Sequence, residues 1–249
     1  MKITLLFLSL IAAINSFGQD ATQLINEGYR LENSMHDADA LNKYKEALHL
    51  QPTNIKAICR CSELCSRLAN RLTNKKIRDD YYLAAKTYAE TALKLDARSA
   101  DANFVMSVVM GRLALTKSGK DKISAAKDIK KYADLAIKYD PNNYKAWHVL
   151  GKWYYEVSSL NGFERIGVKL FFGGMPKATL VDAIKSYERS LELAPHFLLN
   201  YLELARVYKK NNQEDEAIAL LKIIPSIPNT TEDDPSIREH ANKMLLNLL

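Results

Sequence analysis

Glycine and cysteine are scarce in this sequence, and its histidines are dispersed. Nine glycines, three cysteines and five histidines occur among 249 residues, of which 47% are hydrophobic. So few glycines suit one continuous helical array with a sizeable core. The sequence lacks a glycine-rich phosphate loop after a strand, a nucleophile elbow and a His–Glu pair with metal spacing. We therefore expect no catalytic residue, no cofactor, no metal site and no enzyme activity.

The three cysteines, Cys59, Cys61 and Cys65, fall within one predicted helix. Cys61 and Cys65 are one turn apart on one face, and Cys59 points nearly opposite Cys61. We interpret these residues as small buried hydrophobic side chains. A disulfide and a metal site are the alternatives, which helix geometry and the lack of a nearby histidine disfavour.

One spacing of small, aromatic and proline residues recurs along the chain. The first copy consists of Ala40, Tyr44, Ala47, Leu50 and Pro52, and an identically spaced copy consists of Ala183, Tyr187, Ser190, Leu193 and Pro195. Small residues let paired helices approach closely, and proline stops the second helix. The pattern is typical of the second helix of a tetratricopeptide hairpin. It predicts an all-α, tetratricopeptide-type solenoid of about five hairpins.

Most repeats are longer than the tetratricopeptide period of about 34 residues. Successive stop positions, at Pro52, Ala97, Pro141, Pro195 and Asn229, are 45, 44, 54 and 34 residues apart. First-helix patterns directly follow Pro141 and Pro195, so we place the additional residues between the two helices of a hairpin. The longest insertion is predicted at 158–179. A helix at 235–249 is predicted to cap a repeat domain that spans 19–249.

The N-terminus has the composition of a targeting segment. Lys2 precedes an apolar run from Ile3 to Ile14, and Ser16 and Gly18 are small residues before Gln19. This pattern predicts a signal peptide over 1–18 and an exported protein, periplasmic or secreted. It also predicts no integral membrane segment after cleavage. An uncleaved N-terminal anchor is the alternative.

Positive charge is in modest excess, with a net charge of +6. Lysine and arginine alternate with aspartate and glutamate at helical spacing, which favours a solvated face. The densest basic cluster, at 117–131, contains no interleaved aromatic residue. We therefore expect no nucleic-acid partner.

The first helices of such hairpins line a concave groove. Residues next to their packing positions are candidate partner-binding residues: Tyr29, Phe104, Val108, His148, Lys152, Tyr155, Arg206 and Lys209. Lys152 and Arg206 are expected to bind the acidic end of an extended peptide or an amphipathic ligand, with Phe104 and Tyr155 as apolar anchors. The alternative is a groove that the chain itself fills.

The insertion at 158–179 is too apolar for a free loop. We predict that it forms a short amphipathic helix against the first helix of its hairpin, with contact residues Phe163, Leu170, Phe171 and Phe172. Such a helix either plugs the solenoid or contacts a partner or a membrane surface.

Several short motifs are concentrated in the second half of the chain. They are Gly151–Tyr155, Phe163–Arg165, Leu170–Gly173, Ala183–Ile184 and the closing segment Pro228–Asp234. From about Tyr139 onward, these motifs resemble the regulator of microtubule dynamics family. The resemblance implies an all-helical repeat domain that binds proteins. In some animal members it implies microtubule association, or organelle tethering with lipid bound inside the repeats.

Together, these features predict a non-enzymatic scaffold or adaptor of the cell envelope, from an exported and bacterial relative of that family. The expected partner is a protein or peptide segment in the concave groove. A lipid or another amphipathic ligand in the groove is the alternative. A purely structural subunit of an envelope complex is a third hypothesis.

Overall fold

The computed structural model describes residues 20–249, apart from the side chains of Phe171 and Phe172. The described residues form helices and connecting turns without any strand, which confirms the predicted all-α fold. They divide into two compact units: unit 1 ends at Ala97, and unit 2 runs from Arg98 to Leu249. The predicted signal peptide at 1–18 lies outside the described residues.

Unit 1 contains two helical hairpins. They consist of α1 (20–33), α2 (Asp37–Leu50), α3 (Ile55–Arg71) and α4 (Lys75–Leu95). The side chains of Asn54 and Asn74 cap α3 and α4, because they accept hydrogen bonds from the third backbone N–H of each helix. Helix α3 packs against both α2 and α4, so the two hairpins share one core.

Unit 2 contains three hairpins and two further helices. The hairpins pair α5 (Ala100–Ala114) with α6 (Gly119–Tyr139), α7 (Tyr144–Ser158) with α9 (Leu180–Leu193), and α10 (Leu198–Lys210) with α11 (Glu214–Ile223). Helix α8 (Gly162–Phe172) lies within the α7–α9 connection, and α12 (Asp234–Leu246) packs against α10 and α11. The first helices are neighbours, since α7 contacts both α5 and α10.

In two hairpins, the recurring tyrosine of the second helix packs against a glycine of the first helix. A Cβ atom at Gly28 would lie 2.7 Å from the Tyr44 ring, and one at Gly151 would lie 2.9 Å from the Tyr187 ring. Carbon atoms are not found at such distances without displacement of a neighbour. Glycine therefore lets the two helices of these two hairpins close onto the aromatic ring, which explains why the two identically spaced copies carry a tyrosine.

The additional residues of the second and third repeats are mainly helical rather than loop. Helix α4 starts at Lys75 and α6 at Gly119, about two turns before the positions that the repeat pattern predicts. The segment Lys75–Asp80 has no glycine or proline to interrupt it, and Lys75 pairs with Asp79 one turn later, with 2.8 Å between Nζ and Oδ2. These connections are short, so the prediction of long inter-helix segments is wrong for these two repeats.

The cysteines pack as the sequence predicts. Cys59, Cys61 and Cys65 are all buried free thiols on α3. Across residues 20–249, no group of histidine, cysteine, aspartate and glutamate side chains could hold a metal ion. In the same range, no helix combines the length and apolar character that crossing a bilayer requires.

Candidate partner-binding surface

The candidate groove residues belong to both units. Tyr29 lies in unit 1, whereas the other seven lie on α5, α7 and α10 of unit 2. Contacts between α7 and α10 bring part of this second group together. We call this part the α7–α10 surface and define it as His148, Lys152, Tyr155, Asn200, Glu203 and Arg206.

A nearly buried carboxylate organises the α7–α10 surface. Glu203 accepts a hydrogen bond from Lys152 Nζ at 2.9 Å through Oε2 and one from Arg206 at 2.6 Å through Oε1. Lys152 also pairs with Glu156, with 3.1 Å between Nζ and Oε1. Burial acts against the charged form of Lys152, but Glu203 and Glu156 together outweigh it and raise the pKa of Lys152. Lys152 therefore keeps its charge, and Glu203 holds both Lys152 and Arg206 in position.

His148 is fixed beside this ion-pair cluster. Its Nδ1 lies 2.9 Å from Asn200 Oδ1, while Asn200 donates through its amide nitrogen to the Tyr187 carbonyl oxygen at 2.8 Å. The rings of Tyr187 and Phe197 stack edge-on against the imidazole at centroid distances of 5.2 and 4.9 Å. Burial lowers the pKa of His148, so a neutral imidazole is favoured at neutral pH. His148 therefore contributes a fixed ring to the surface and no positive charge.

Two aromatic side chains complete the centre of the surface. Lys152 Nζ lies 5.5 Å from the centroid of the Tyr155 ring, within range of a cation–π interaction. Tyr187 is fully buried behind it, and its hydroxyl has no hydrogen-bond partner among the described protein groups. Burial and the charge of Glu203 both raise the pKa of Tyr187, so this hydroxyl stays protonated.

The three remaining candidates of unit 2 do not join this cluster. Phe104 is only 5% exposed, and Lys145 covers its ring at 5.7 Å. Val108 is half-buried, and Lys209 is exposed near the end of α10. Phe104 is thus a core residue, which argues against its expected role as an apolar anchor.

Unit 1 carries a corresponding cluster with reversed charges. Glu32 on α1 accepts hydrogen bonds from Tyr44 at 2.7 Å and from Arg60 Nε at 2.9 Å. Arg60 also pairs with Glu63 at 2.7 Å and lies over the Tyr29 ring at 5.7 Å. The candidate residue Tyr29 is therefore part of an internal contact in unit 1.

Residues at the same distance from the two helix-stopping prolines carry opposite charges. Arg60 stands as far after Pro52 as Glu203 stands after Pro195, and Glu63 corresponds in the same way to Arg206. The sequence analysis did not identify Glu203. Its spacing of three residues before Arg206 and its alignment with Arg60 are the signals that could have found it.

The insertion forms a helix whose apolar face is exposed. Phe163 and Leu170 on α8 are 90% and 74% exposed, so these side chains do not plug the solenoid. Helix α8 contacts α6 of the preceding hairpin, whereas a contact with the first helix of its own hairpin was predicted. An Asn161 capping box starts the helix, and Gly173 ends it with a φ of +71°.

A solved structure has a similar fold. A thermophilic tetratricopeptide protein of Thermus thermophilus superposes with a TM-score of 0.67, over 91% of this chain and 99% of that one. Sequence identity is 16%, so this likeness concerns the fold alone. It confirms the tetratricopeptide-type α-solenoid.

Curated relatives of this chain come from vertebrates. Regulator of microtubule dynamics protein 3 of Mus musculus is 28% identical over 165 residues, which are 66% of this chain and 35% of the relative. Protein 2 of Bos taurus is 24% identical over 225 residues, which are 90% of this chain and 53% of the relative. The chain thus spans about a third to a half of the length of these relatives.

These relatives overturn the predicted location. They are eukaryotic proteins named for a role in the dynamics of microtubules, which are polymers of the cell interior. The prediction of an exported, periplasmic or secreted protein is therefore wrong. A short positive start followed by an apolar run misled the sequence analysis, because composition alone does not define a cleaved export signal. A bacterial origin stays a prediction.

The family itself is shown by a sequence profile that covers nearly all of the described chain. The profile of regulator of microtubule dynamics protein 1-3 matches residues 21–249. The match extends well before Tyr139, where only general tetratricopeptide spacing was evident from the sequence. The chain therefore belongs to the regulator of microtubule dynamics protein 1-3 family.

Proposed function

We propose that this chain is a non-enzymatic, protein-binding scaffold that holds an extended peptide segment of its partner on the α7–α10 surface. The tetratricopeptide fold and the family supply the general class. The observation that supports the location is the pair of half-exposed cations, Lys152 and Arg206, which the nearly buried Glu203 holds in place. Groups fixed in this way lose little conformational freedom when a ligand binds.

Hydrogen-bond donors remain available on both cations. The Lys152 ammonium has three N–H donors, of which Glu203 and Glu156 use two. Arg206 has five, and Glu203 is its only recorded partner among the described residues. The carboxylates of Glu156 and Glu203 balance the positive charges of the two cations, so the net charge at this site is close to zero. Neutral acceptors, such as the backbone carbonyl oxygens of an extended peptide, therefore suit the surface better than the acidic ligand that the sequence suggests.

The same charges make lipid in this groove the less favoured alternative. An acyl chain needs apolar walls, whereas the α7–α10 surface is lined by paired ions and a hydrogen-bonded amide. An acyl chain covering the paired ions and the amide would remove their water without replacing the lost hydrogen bonds. The backbone of a peptide can replace those hydrogen bonds.

A charge-swapped variant tests the location. K152E/E203R/R206E keeps opposite charges in contact around position 203 but replaces the two outward donors with acceptors. The new carboxylate at position 152 lies one turn from Glu156, a repulsion of about 0.2–0.5 kcal/mol. Unit 1 already places Arg60 and Glu63 at the corresponding positions, so the swap imitates an arrangement that this fold accommodates. We expect helicity and thermal unfolding close to those of the original chain, with loss of peptide capture.

Binding is measured on an array of short synthetic peptides that samples acidic, neutral and apolar sequences, followed by calorimetric titration of the strongest binder. The matched control is E239K/K243E, which swaps an exposed ion pair on α12 and should leave binding unchanged. Undiminished capture by the triple variant would remove the α7–α10 surface from the proposal. A chain that captures no peptide would remove peptide binding itself.

A microtubule is the more specific partner that the family favours. The family and the mouse and cattle relatives are named for microtubule dynamics. Since the chain spans only part of those relatives, tubulin as its partner is a proposal. Co-sedimentation with polymerised tubulin tests it, and absence of the chain from the pellet would contradict the tubulin partner while leaving peptide binding open.

A further inference from the structure

Two exposed segments of unit 2 combine apolar and basic side chains at the same edge. They are residues 115–122, which comprise the α5–α6 connection and the first turn of α6, and residues 159–179, which connect α7 to α9 and contain α8. Both follow the C-terminal ends of the neighbouring helices α5 and α7, and α8 contacts α6. The Trp153 indole of α7 also donates to the Ala126 carbonyl of α6 at 2.7 Å. We call residues 115–122 and 159–179 the insertion edge.

The apolar part of the insertion edge is unusually exposed. Phe163, Ile166 and Leu170 are spaced so that they share one face of α8, and they are 90%, 58% and 74% exposed. Leu115 at the end of α5 is 74% exposed. Single exposed hydrophobic residues are ordinary on proteins, but a stripe of three on one helix marks a contact surface.

The charged part of the insertion edge is predominantly basic. Its exposed cations are Lys117, Lys120, Lys122, Arg165, Lys169 and Lys177. Its anions are Asp121 and Glu164, and the Glu164 carboxylate is occupied by the capping box at the start of α8. Arg165 donates to the carbonyl oxygens of Ser158 and Leu160, which are neutral acceptors and leave its positive charge uncompensated. The edge thus presents an apolar stripe bordered by excess positive charge.

We propose that the insertion edge binds peripherally to the surface of an anionic lipid bilayer. A short helix with an apolar face and cationic borders is the pattern of a helix that lies in the interface plane. Lysines act as flexible point charges without the geometric demands of a fixed partner, which suits anionic headgroups. The stripe also projects outward on α8, so it fits a deformable layer more readily than the pocket of a folded partner.

The surface is separate from the α7–α10 surface. None of its residues belongs to the Lys152–Glu203–Arg206 cluster, so membrane contact and peptide binding can be tested independently. The proposal goes beyond peptide binding, because it would bring a bound partner to a membrane.

Vesicle flotation tests the proposal on the full chain. Vesicles of phosphatidylcholine with phosphatidylserine are expected to bind the chain, and vesicles of phosphatidylcholine alone are expected to bind it at least about tenfold less, because basic residues near an anionic surface contribute to binding. Raising the ionic strength should weaken binding. F163S/L170S should weaken it by about tenfold or more, since the two side chains would no longer bury apolar surface.

The matched control is L83S/L246S, which removes two leucines that are 62% and 66% exposed outside the insertion edge. This control should bind vesicles as the original chain does. Failure of the original chain to bind anionic vesicles would overturn the proposal, as would full binding by F163S/L170S. Concentration-dependent dimerisation that F163S/L170S abolishes, without vesicle binding, would assign the edge to a second copy instead.

Discussion

The hydroxyl groups of Tyr44 and Tyr187 provide a sensitive test of the two clusters. Both rings pack against a glycine on the first helix of their own hairpin and occupy the same place in the repeat. The Tyr44 hydroxyl donates to Glu32 at 2.7 Å, whereas the Tyr187 hydroxyl has no partner among the described groups. Replacement of each tyrosine by phenylalanine removes the same atom from two different environments, so the two variants control each other.

The expected changes in the free energy of unfolding have opposite signs. Tyr44→Phe loses a buried hydrogen bond to a charged group, which is worth about 1.5–3 kcal/mol. Glu32 keeps Arg60, so no carboxylate is left unpaired and the cost should lie near the lower end of this range. Tyr187→Phe removes a buried polar group that pays a desolvation penalty of about 1–3 kcal/mol without compensation. The second variant should therefore be as stable as the original chain or more stable.

Urea unfolding followed by far-UV circular dichroism measures both variants. The slope of the unfolding free energy with urea must be unchanged, so that the midpoints report stability rather than a change in the unfolded chain. An equal loss of stability in the two variants would refute the reasoning, because it would mean that the Tyr187 hydroxyl has a partner as effective as Glu32. A stabilised Tyr44→Phe variant would refute the proposed strength of the Glu32 contact.

Two further predictions concern the core. Gly151→Ala should destabilise the chain by about 1–3 kcal/mol in urea unfolding, because the new Cβ would meet the Tyr187 ring. The control Gly162→Ala should not destabilise it, because a Cβ there meets nothing within 4 Å. Equal urea midpoints for the two variants would show that the Tyr187 ring moves aside without cost. Burial raises the pKa of Cys61 to about 12 and that of Cys65 to about 11, so native alkylation by iodoacetamide should be much slower than alkylation in urea. The thiols ionise at lower pH in the unfolded chain, where their pKa is 9.0, than in the folded chain. The free energy of unfolding should therefore be unaffected by these thiols below pH 9.0 and should fall as pH rises toward 11 and 12. The C61A/C65A variant should show a smaller fall of the urea midpoint over that range, and an identical fall would contradict the assignment.

The hairpins were predictable because their determinants are local. Tyr44 and Tyr187 lie at the same spacing from a helix-stopping proline, and each ring packs against a glycine on the first helix of its hairpin. The extended starts of α4 and α6 were missed because the repeat pattern reports packing positions, while a helix continues backward as long as no residue interrupts it. Helix existence was thus clear from the sequence, and helix length was not.

The centre of the candidate site was not predictable in the same way. Glu203 is acidic, lies near Arg206 and resembles a residue of a solvated face until α7 covers it. Its contact with Lys152 joins residues 51 positions apart, a separation that no local pattern encodes. The apolar residues of α8 presented a related ambiguity, since Phe163 and Leu170 have the same sequence pattern whether the helix plugs a groove or projects from it. Tertiary packing decides both cases.

The reversed charges of the two units separate what the fold requires from what a ligand requires. Arg60 and Glu203 occupy corresponding positions and both form ion pairs, so the fold accommodates a charge of either sign there. The unit 1 cluster extends along α3 through Arg67 and Arg71, which both pair with the buried Asp37. The side chains of Arg60, Arg67 and Arg71 are only 17–24% exposed. Lys152 and Arg206 are 41% and 40% exposed. The unit 1 cluster buries most of its cations, as residues that serve packing do. The unit 2 cluster leaves Lys152 and Arg206 partly in solvent, where their N–H donors can reach a ligand. This difference favours unit 2 as the binding unit.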